Sequence, residues 1–272
     1  MTTTKTQSLN APYTLSPSHL QDFNDQGFIR LPEVLDPETV SSFEPEITSK
    51  VRELNTQHLP LEERDTYNKA FLQVSNLWTH SEKVREFVFS ARLAKIAADL
   101  LGVKSVRLYH DQALYKESGG GITPWHADQY YWPVSSDRTV TVWIPLQATP
   151  LEMGPLSFAT GSHEFEFGRN LPISDESEQQ LKKTLAEQNY PLDEEPYDIG
   201  DVSYHLGWTF HRAGANRSGQ PRAVITMIYM DADIEVTEPT NAAQKKDLDQ
   251  WMPGTSIGTV PAGPINPILW TP

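Results

Sequence analysis

Val103-Lys104-Ser105-Val106-Arg107-Leu108-Tyr109-His110-Asp111-Gln112-Ala113-Leu114-Tyr115 begins where Gly102 is placed to end a helical pattern, and the texture of the chain changes there. Thr139 to Leu146, Val202 to His205 and Ala223 to Met230 share its richness in Val, Ile, Thr, Tyr and Trp. Clusters of Gly, Pro, Ser and Asp separate these runs. Short strands with such punctuation predict an antiparallel sandwich or barrel. Between them, Asp175 to Asn189 reads as a polar helical insertion and Asp193-Glu194-Glu195 as a solvated loop.

Upstream of Gly102 the pattern is helical. Ser18 opens a short helix that stops near Gly27, Phe28 to Leu31 reads as a strand, and Pro32 ends it. Asp36-Pro37-Glu38 combines a cap, a first-turn proline and an acidic first turn, so a helix should run toward Leu54, disturbed at Pro45. Leu93, Ile96, Ala97 and Leu100 recur at helical spacing in one helix expected over Lys83 to Leu101. The expected class is mainly β with α: a β-core carrying an N-terminal helical layer. One domain is expected over 1–272. It divides into a flexible tail (1–15), a helical layer (16–102), a β-core (103–235) with a polar insertion near 170–197, and a C-terminal helix and tail (236–272).

Composition narrows the function. The 272 residues are 38% hydrophobic, enough for a sizeable core, and no apolar run is long enough to cross a bilayer, so no membrane partner is expected. Met1 to Ser8 is polar, without the basic start and apolar stretch of a secretory leader, and a cytoplasmic location fits. There is no cysteine, so thiolate metal sites and disulfides are excluded, and a metal could be held only by His, Asp or Glu. Lys and Arg number 22 against 36 Asp and Glu, a net charge of −14 that disfavours nucleic-acid partners. A small-molecule substrate is the expected partner. Nothing in the composition specifies an oligomeric state.

Among eight histidines, His126 is singled out by Trp125-His126-Ala127-Asp128. In an extended segment, side chains two apart leave the same face, so His126 and Asp128 can point at one ion. A third ligand is available in His211, 85 residues on. Two imidazoles and a carboxylate form the facial triad of non-haem Fe(II) oxygenases. By itself the His-x-Asp pattern is short and arises by chance, and a loop His bonded to its Asp is the alternative. Arg222 adds context: it lies 11 residues beyond His211, past a turn through Asn216, Ser218 and Gly219. It is expected back near the metal on a neighbouring strand, where an always-charged bidentate donor suits the far carboxylate of 2-oxoglutarate. A surface salt bridge is the alternative for an isolated arginine.

From Ser18 to the C-terminus the chain resembles the phytanoyl-CoA dioxygenase family. The resemblance is carried by Phe23 to Pro32, His110 to Lys116, Pro124 to Pro133, Thr141 to Leu146, Met153 to Leu156, Gly161-Ser162-His163, Gly200-Asp201-Val202 and His211 through Arg222. It implies a double-stranded β-helix, a jelly-roll (cupin-like) core with the metal inside one mouth. It assigns Fe(II) to His126, Asp128 and His211, the 2-oxoglutarate salt bridge to Arg222, and the cosubstrate wall to Trp143 and the strand around Gln112. O2 is the second cosubstrate. The implied reaction is hydroxylation of an unactivated C–H bond of a small molecule, with release of succinate and CO2. Asp128 stands where the family's halogenases have a small residue, which favours hydroxylation over halogenation. The chain's acidity offers no obvious basic handle for CoA.

The substrate pocket is expected to draw on His110, Lys116, Trp125, Tyr130 and Tyr131, with Trp132 beside them. The aromatic residues would suit a cationic or apolar substrate, Lys116 an anionic one. His205 is read as structural or as supporting the metal ligands. Two rival functions carry their own marks: a zinc-dependent hydrolase using the same triad, and a non-catalytic metal-binding jelly-roll module.

Overall fold

The computed structural model describes residues 7–272. Within the span expected as a tail, 1–6 lie outside the described residues, whereas α1 (Gln7–Asn10) is helical. Leu9 is buried, its carbonyl accepts from Ser90 Oγ, and Arg92 Nε donates to the Ala11 carbonyl, so this segment is tied to the helical layer.

α2 (Pro17–Gln26) starts at a Ser16 capping box and stops at Gly27, whose φ of 79° is in the left-handed region. β1 (Phe28–Leu31) follows, then α3 (Pro37–Leu54), which carries Pro45 without breaking. α4 (Thr66–Ala70) and β2 (Leu72–Ser75) lead to α5 (Glu82–Val88) and α6 (Ala91–Leu101). The single helix expected over Lys83 to Leu101 is therefore two. Ser90 Oγ accepts from the Leu93 N–H and starts a fresh helix, the usual competition of a short hydroxyl side chain with helix continuity.

β3 (Val106–Tyr115), β4 (Thr123–His126), β5 (Thr139–Pro145) and β6 (Leu156–Ala159) come next, followed by α7 (Asp175–Glu187) in the polar insertion. β7 (Leu192–Asp193), β8 (Val202–Leu206), β9 (His211–Ala213), β10 (Val224–Asp231), α8 (Ala242–Trp251) and β11 (Ile268–Trp270) complete the described elements. The expected solvated loop at Asp193 to Glu195 thus begins in a short strand. No helix among the described residues is long and apolar enough to cross a membrane.

Two antiparallel sheets face each other. The larger runs β1-β8-β5-β10-β3-β11, with β2 also paired to β3; the smaller runs β4-β9-β6-β7. This is a jelly roll. On the outer face of the large sheet, Val140, Val142, Ile144, Ile225 and Met227 join Val84 and Phe87 of α5 and Leu93, Ile96, Ala97 and Leu100 of α6 in one buried cluster. Each such side chain contributes roughly 1.5–3 kcal/mol by leaving water, which is what fixes the helical layer to the sheet.

The opposite parity of the same strands faces the smaller sheet. Strand register sets two cross-strand rows there: Gln112, Thr226, Trp143 and Ser203 in one, and His110, Ile228, Thr141 and His205 in the next. The register of β3 against β10 steps from His110↔Ile228 to Leu108↔Tyr229, leaving Tyr109 as the extra residue of a β-bulge.

Candidate active site

Between the sheets lies a cavity of about 880 Å³. His126 and His211 are direct partners across β4 and β9, with ring centroids 4.1 Å apart. β4 ends at His126, Ala127 stays extended (φ −124°, ψ 131°), and Asp128 opens a short 3-10 turn through Tyr131. The extended Ala127 keeps Asp128 on the His126 face. One Asp128 oxygen, Oδ1, is 3.6 Å from His126 Nε2 and 3.7 Å from His211 Nε2. One ligand atom from each of the three lies within 4.8 Å of the others, a spacing a single ion could bridge.

The remaining polar atoms of the three are already engaged. His126 Nδ1 donates to the Pro124 carbonyl at 2.7 Å and His211 Nδ1 to the Thr209 carbonyl at 2.9 Å. That fixes the tautomer and leaves both Nε2 lone pairs directed at the shared space. Asp128 Oδ2 accepts from Thr141 Oγ1 at 3.1 Å and lies 3.3 Å from His205 Nε2. Burial lowers the pKa of His126 and of His211 to about 4, so both imidazoles are neutral, the form that ligates. Burial pushes the Asp128 carboxyl up, but His211 and the His205 hydrogen bond outweigh it and hold the group below the usual carboxylate range. Two nitrogens and one oxygen in this disposition fit a facial triad.

Arg222 enters from the other sheet. β9 and β10 are not neighbours, contrary to the expectation of adjacent strands, because the intervening segment crosses the sandwich. The Asn216 amide holds that crossing by donating to the carbonyls of Lys116, Glu117 and Gln220. Arg222 is buried, lines the cavity, donates Nη1 to the Gly154 carbonyl, and has its carbon centre 5.5 Å from the Trp143 ring centroid. Gly154 must be glycine: at φ 67° it lies so close to the Gly214 carbonyl that a Cβ would collide. Arg222 Nε has no hydrogen-bond partner, and no ion pair is made by Arg222 among the described residues. Desolvation draws its pKa down to about 10. An unpaired guanidinium in such a place is costly unless an anion completes it.

Other expected positions divide. Trp143, Gln112, His110 and Tyr131 line the cavity; Trp125, Tyr130 and Lys116 do not. Trp125 follows from alternation: with His126 facing in, Trp125 faces out and packs with Leu181, Leu185 and Phe210 beneath α7. Tyr130 is turned away by the three-residue period of its 3-10 turn, which puts Tyr131 on the Asp128 side instead. Its carbonyl accepts from the Gln244 amide at 3.2 Å. Lys116 is fully buried and spends its ammonium on the Gly121 carbonyl and Thr123 Oγ1; burial, then Arg222 and Arg212, push its pKa well down.

Sequence reasoning missed Thr141, which lies two residues before Trp143 and shares its strand face. It also missed the rim residues Tyr67, Phe71, Asp247 and Trp251, for which strand alternation offers no signal.

The phytanoyl-CoA dioxygenase (PhyH) family profile matches residues 23–224. A probable alpha-ketoglutarate-dependent hypophosphite dioxygenase of Stutzerimonas stutzeri is 24% identical over 169 residues, 61% of this chain. The match spans only 59% of that curated relative's length. Among solved structures, the non-heme alpha ketoglutarate dependent carbocyclase SnoK from nogalamycin biosynthesis superposes with a TM-score of 0.77 at 25% identity, covering 95% of this chain and 99% of that one. The epimerase SnoN, in complex with Fe3+, alpha ketoglutarate and nogalamycin RO, gives 0.77 at 26% identity over 93% and 98%.

Proposed function

We propose, from the premise that the chain belongs to the phytanoyl-CoA dioxygenase family, that it is an Fe(II)- and 2-oxoglutarate-dependent oxygenase that hydroxylates a C–H bond of a small molecule. We read 1–272 as one oxygenase domain working in the cytoplasm. The observation that carries the reading is Arg222: a buried guanidinium without a carboxylate partner, in the same cavity as His126, Asp128 and His211.

His126, Asp128 and His211 would hold the metal, and Arg222 the far carboxylate of 2-oxoglutarate, with Trp143 and Gln112 along its flank. With both bound, the keto acid loses CO2 to become succinate while O2 is activated to oxidise a substrate carbon. The chain's own contribution is placement. Thr141 and His205 fix Asp128 through Oδ2, so that Oδ1 stays directed at the two imidazoles. The Pro124 and Thr209 carbonyls fix the two rings. Trp143, packed on Tyr197 at 4.7 Å between ring centroids, gives Arg222 a dry wall that strengthens its charge toward an anion. His110, Tyr131, Ile228 and Trp132 close the space where a substrate carbon must be positioned.

A zinc hydrolase using the same triad would act without 2-oxoglutarate and without iron. The test is succinate release from 2-oxoglutarate under air. It should require Fe(II) and fall to background in Asp128→Ala; release that persists without iron, or that zinc supports, overturns the reading. Likeness to SnoK and SnoN, a carbocyclase and an epimerase, favours one second reading, a ring closure or epimerisation started by the same C–H oxidation. Label from 18O2 in the product distinguishes hydroxylation from either.

A further inference from the structure

Two carboxylates line the cavity among the described residues. Asp128 is accounted for; the other is Asp247, on α8 at the rim. α8 presents Ala243, Lys246, Asp247, Gln250 and Trp251 to the cavity, a spacing of 3, 1, 3 and 1 that is one helical face. No residue of α8 is fully buried. Leu248 and Trp251 pack against the cluster of Tyr109, Trp132 and Ile228, whereas Ala243, Lys246, Asp247 and Gln250 are left to the cavity. Polar contacts also hold the helix: Asn241 caps it, and the Asn241 and Gln244 amides donate to the Tyr130 carbonyl.

Asp247 is held in place by neutral donors. Tyr109, the bulged residue of β3, is aimed at α8 and donates its hydroxyl to Asp247 Oδ2 at 3.0 Å. The Trp251 side chain, four residues on along the same helical face, lies beside the same carboxylate and favours its ionised form. Asn266 pins the bulge by donating its amide to the Leu108 and Tyr109 carbonyls at 3.2 and 3.1 Å. The bulge therefore spends backbone irregularity on orienting a phenol toward one carboxylate. No cation lies within ion-pair distance of Asp247 among the described residues. Lys246, its neighbour on the cavity face, is exposed and makes no ion pair with it. The surrounding walls are aromatic, with Tyr67, Phe71, Tyr131, Trp132 and Trp251 lining the space. Aromatic faces and a partly desolvated carboxylate attract the same kind of guest. The net charge of −14 draws that guest toward the protein.

We propose that the rim of the cavity at α8 is an ammonium subsite: Asp247, oriented by Tyr109 and flanked by aromatic rings, recognises a protonated amine on the substrate and so selects which carbon reaches the triad. The inference rests on the oxygenase reading for which end of the cavity reacts. In agreement, burial pushes the Asp247 carboxyl up to about 7, outweighing the Tyr109 hydrogen bond and the charge of Lys246.

The experiment uses anaerobic holoprotein loaded with Fe(II) and 2-oxoglutarate, with loading checked by the charge-transfer absorption of the iron–keto acid chelate. Calorimetric titration then compares 2-phenylethylammonium with 2-phenylethanol, which differ in charge and little in shape. Wild type should bind the ammonium at least tenfold more tightly. Asp247→Asn should erase that preference while keeping the absorption band, and Lys246→Ala should tighten ammonium binding a few-fold. Equal affinity for the two probes, no saturable binding of the ammonium, or a preference that survives in Asp247→Asn overturns the proposal. Absence of the absorption band from loaded wild type would instead defeat the oxygenase reading, so the two failures are distinguishable.

Discussion

The two faces of the large sheet are built from the same strands and do opposite work. On β5, Val140, Val142 and Ile144 point at the helical layer, while Thr141 and Trp143 point at the cavity. On β10, Ile225 and Met227 face the helices, and Thr226 and Ile228 face the cavity with Arg222 just before them. One face is packed mainly by apolar side chains that exclude water, with the Asp111 Oδ1 and Tyr229 hydroxyl atoms buried among them. The other is lined by the polar and charged groups of the cavity, Arg222 Nε and His205 Nδ1 among them without partners. A single-residue alternation therefore separates stability from chemistry, and substitutions on the two faces should produce effects of different kinds.

The largest expected effect is on the cavity side. Asp128→Ala removes the one anionic ligand and should abolish iron binding and 2-oxoglutarate turnover, read by metal analysis and succinate assay. Arg222→Met should raise the KM for 2-oxoglutarate by about a hundredfold or more, as expected when one partner of a buried charge pair is lost. It should also raise the Tm of the cofactor-free protein, because an unpaired buried charge is replaced by an apolar chain of similar length. Arg222→Met with a lowered Tm and an unchanged KM would place the arginine on the structural side of the comparison.

Next comes the helix-facing side. Ile225→Ala should cost ~2–5 kcal/mol in denaturant unfolding while leaving the KM for 2-oxoglutarate within twofold. His205→Ala should fold and retain one iron, with affinity weakened ~10–100-fold, the usual cost of losing a group that orients a ligand. The smallest effect concerns Asp111, which faces the helical layer from β3. Burial raises its pKa from 3.8 to about 7 against the pull of the Leu77 and Trp78 N–H donors. The folded protein then holds this proton more tightly than the unfolded chain. Its contribution to stability is full below about pH 4 and is lost as pH rises to about 7. Asp111→Asn should flatten the Tm–pH profile across that window.

Much of this organisation was legible in the sequence. Strand texture and punctuation pointed to an antiparallel sandwich or barrel, the family resemblance to a jelly roll, and side chains two apart on an extended segment placed His126 with Asp128. The outward turn of Trp125 was implied by that same alternation and went unused. Other features depend on partners far along the chain. The direction of Tyr130 depends on a 3-10 turn replacing the strand after Ala127. The split between α5 and α6 depends on Ser90 and its bond to Leu9. Crossing of the chain between β9 and β10 depends on Asn216 reaching back to Lys116 and Glu117. The Tyr109 bulge and the docking of Asp247 on it join residues 138 apart, and local periodicity carries no trace of either.

The most direct measurement is an anaerobic titration of the protein with Fe(II) and then 2-oxoglutarate, following bound metal and the charge-transfer absorption of the chelate. One iron per chain and a band that needs both components are expected. His211→Ala should give no band, and Arg222→Ala should reach one only at much higher 2-oxoglutarate. A band that forms undiminished in His211→Ala, or wild-type protein that binds iron without responding to 2-oxoglutarate, would contradict the assignment.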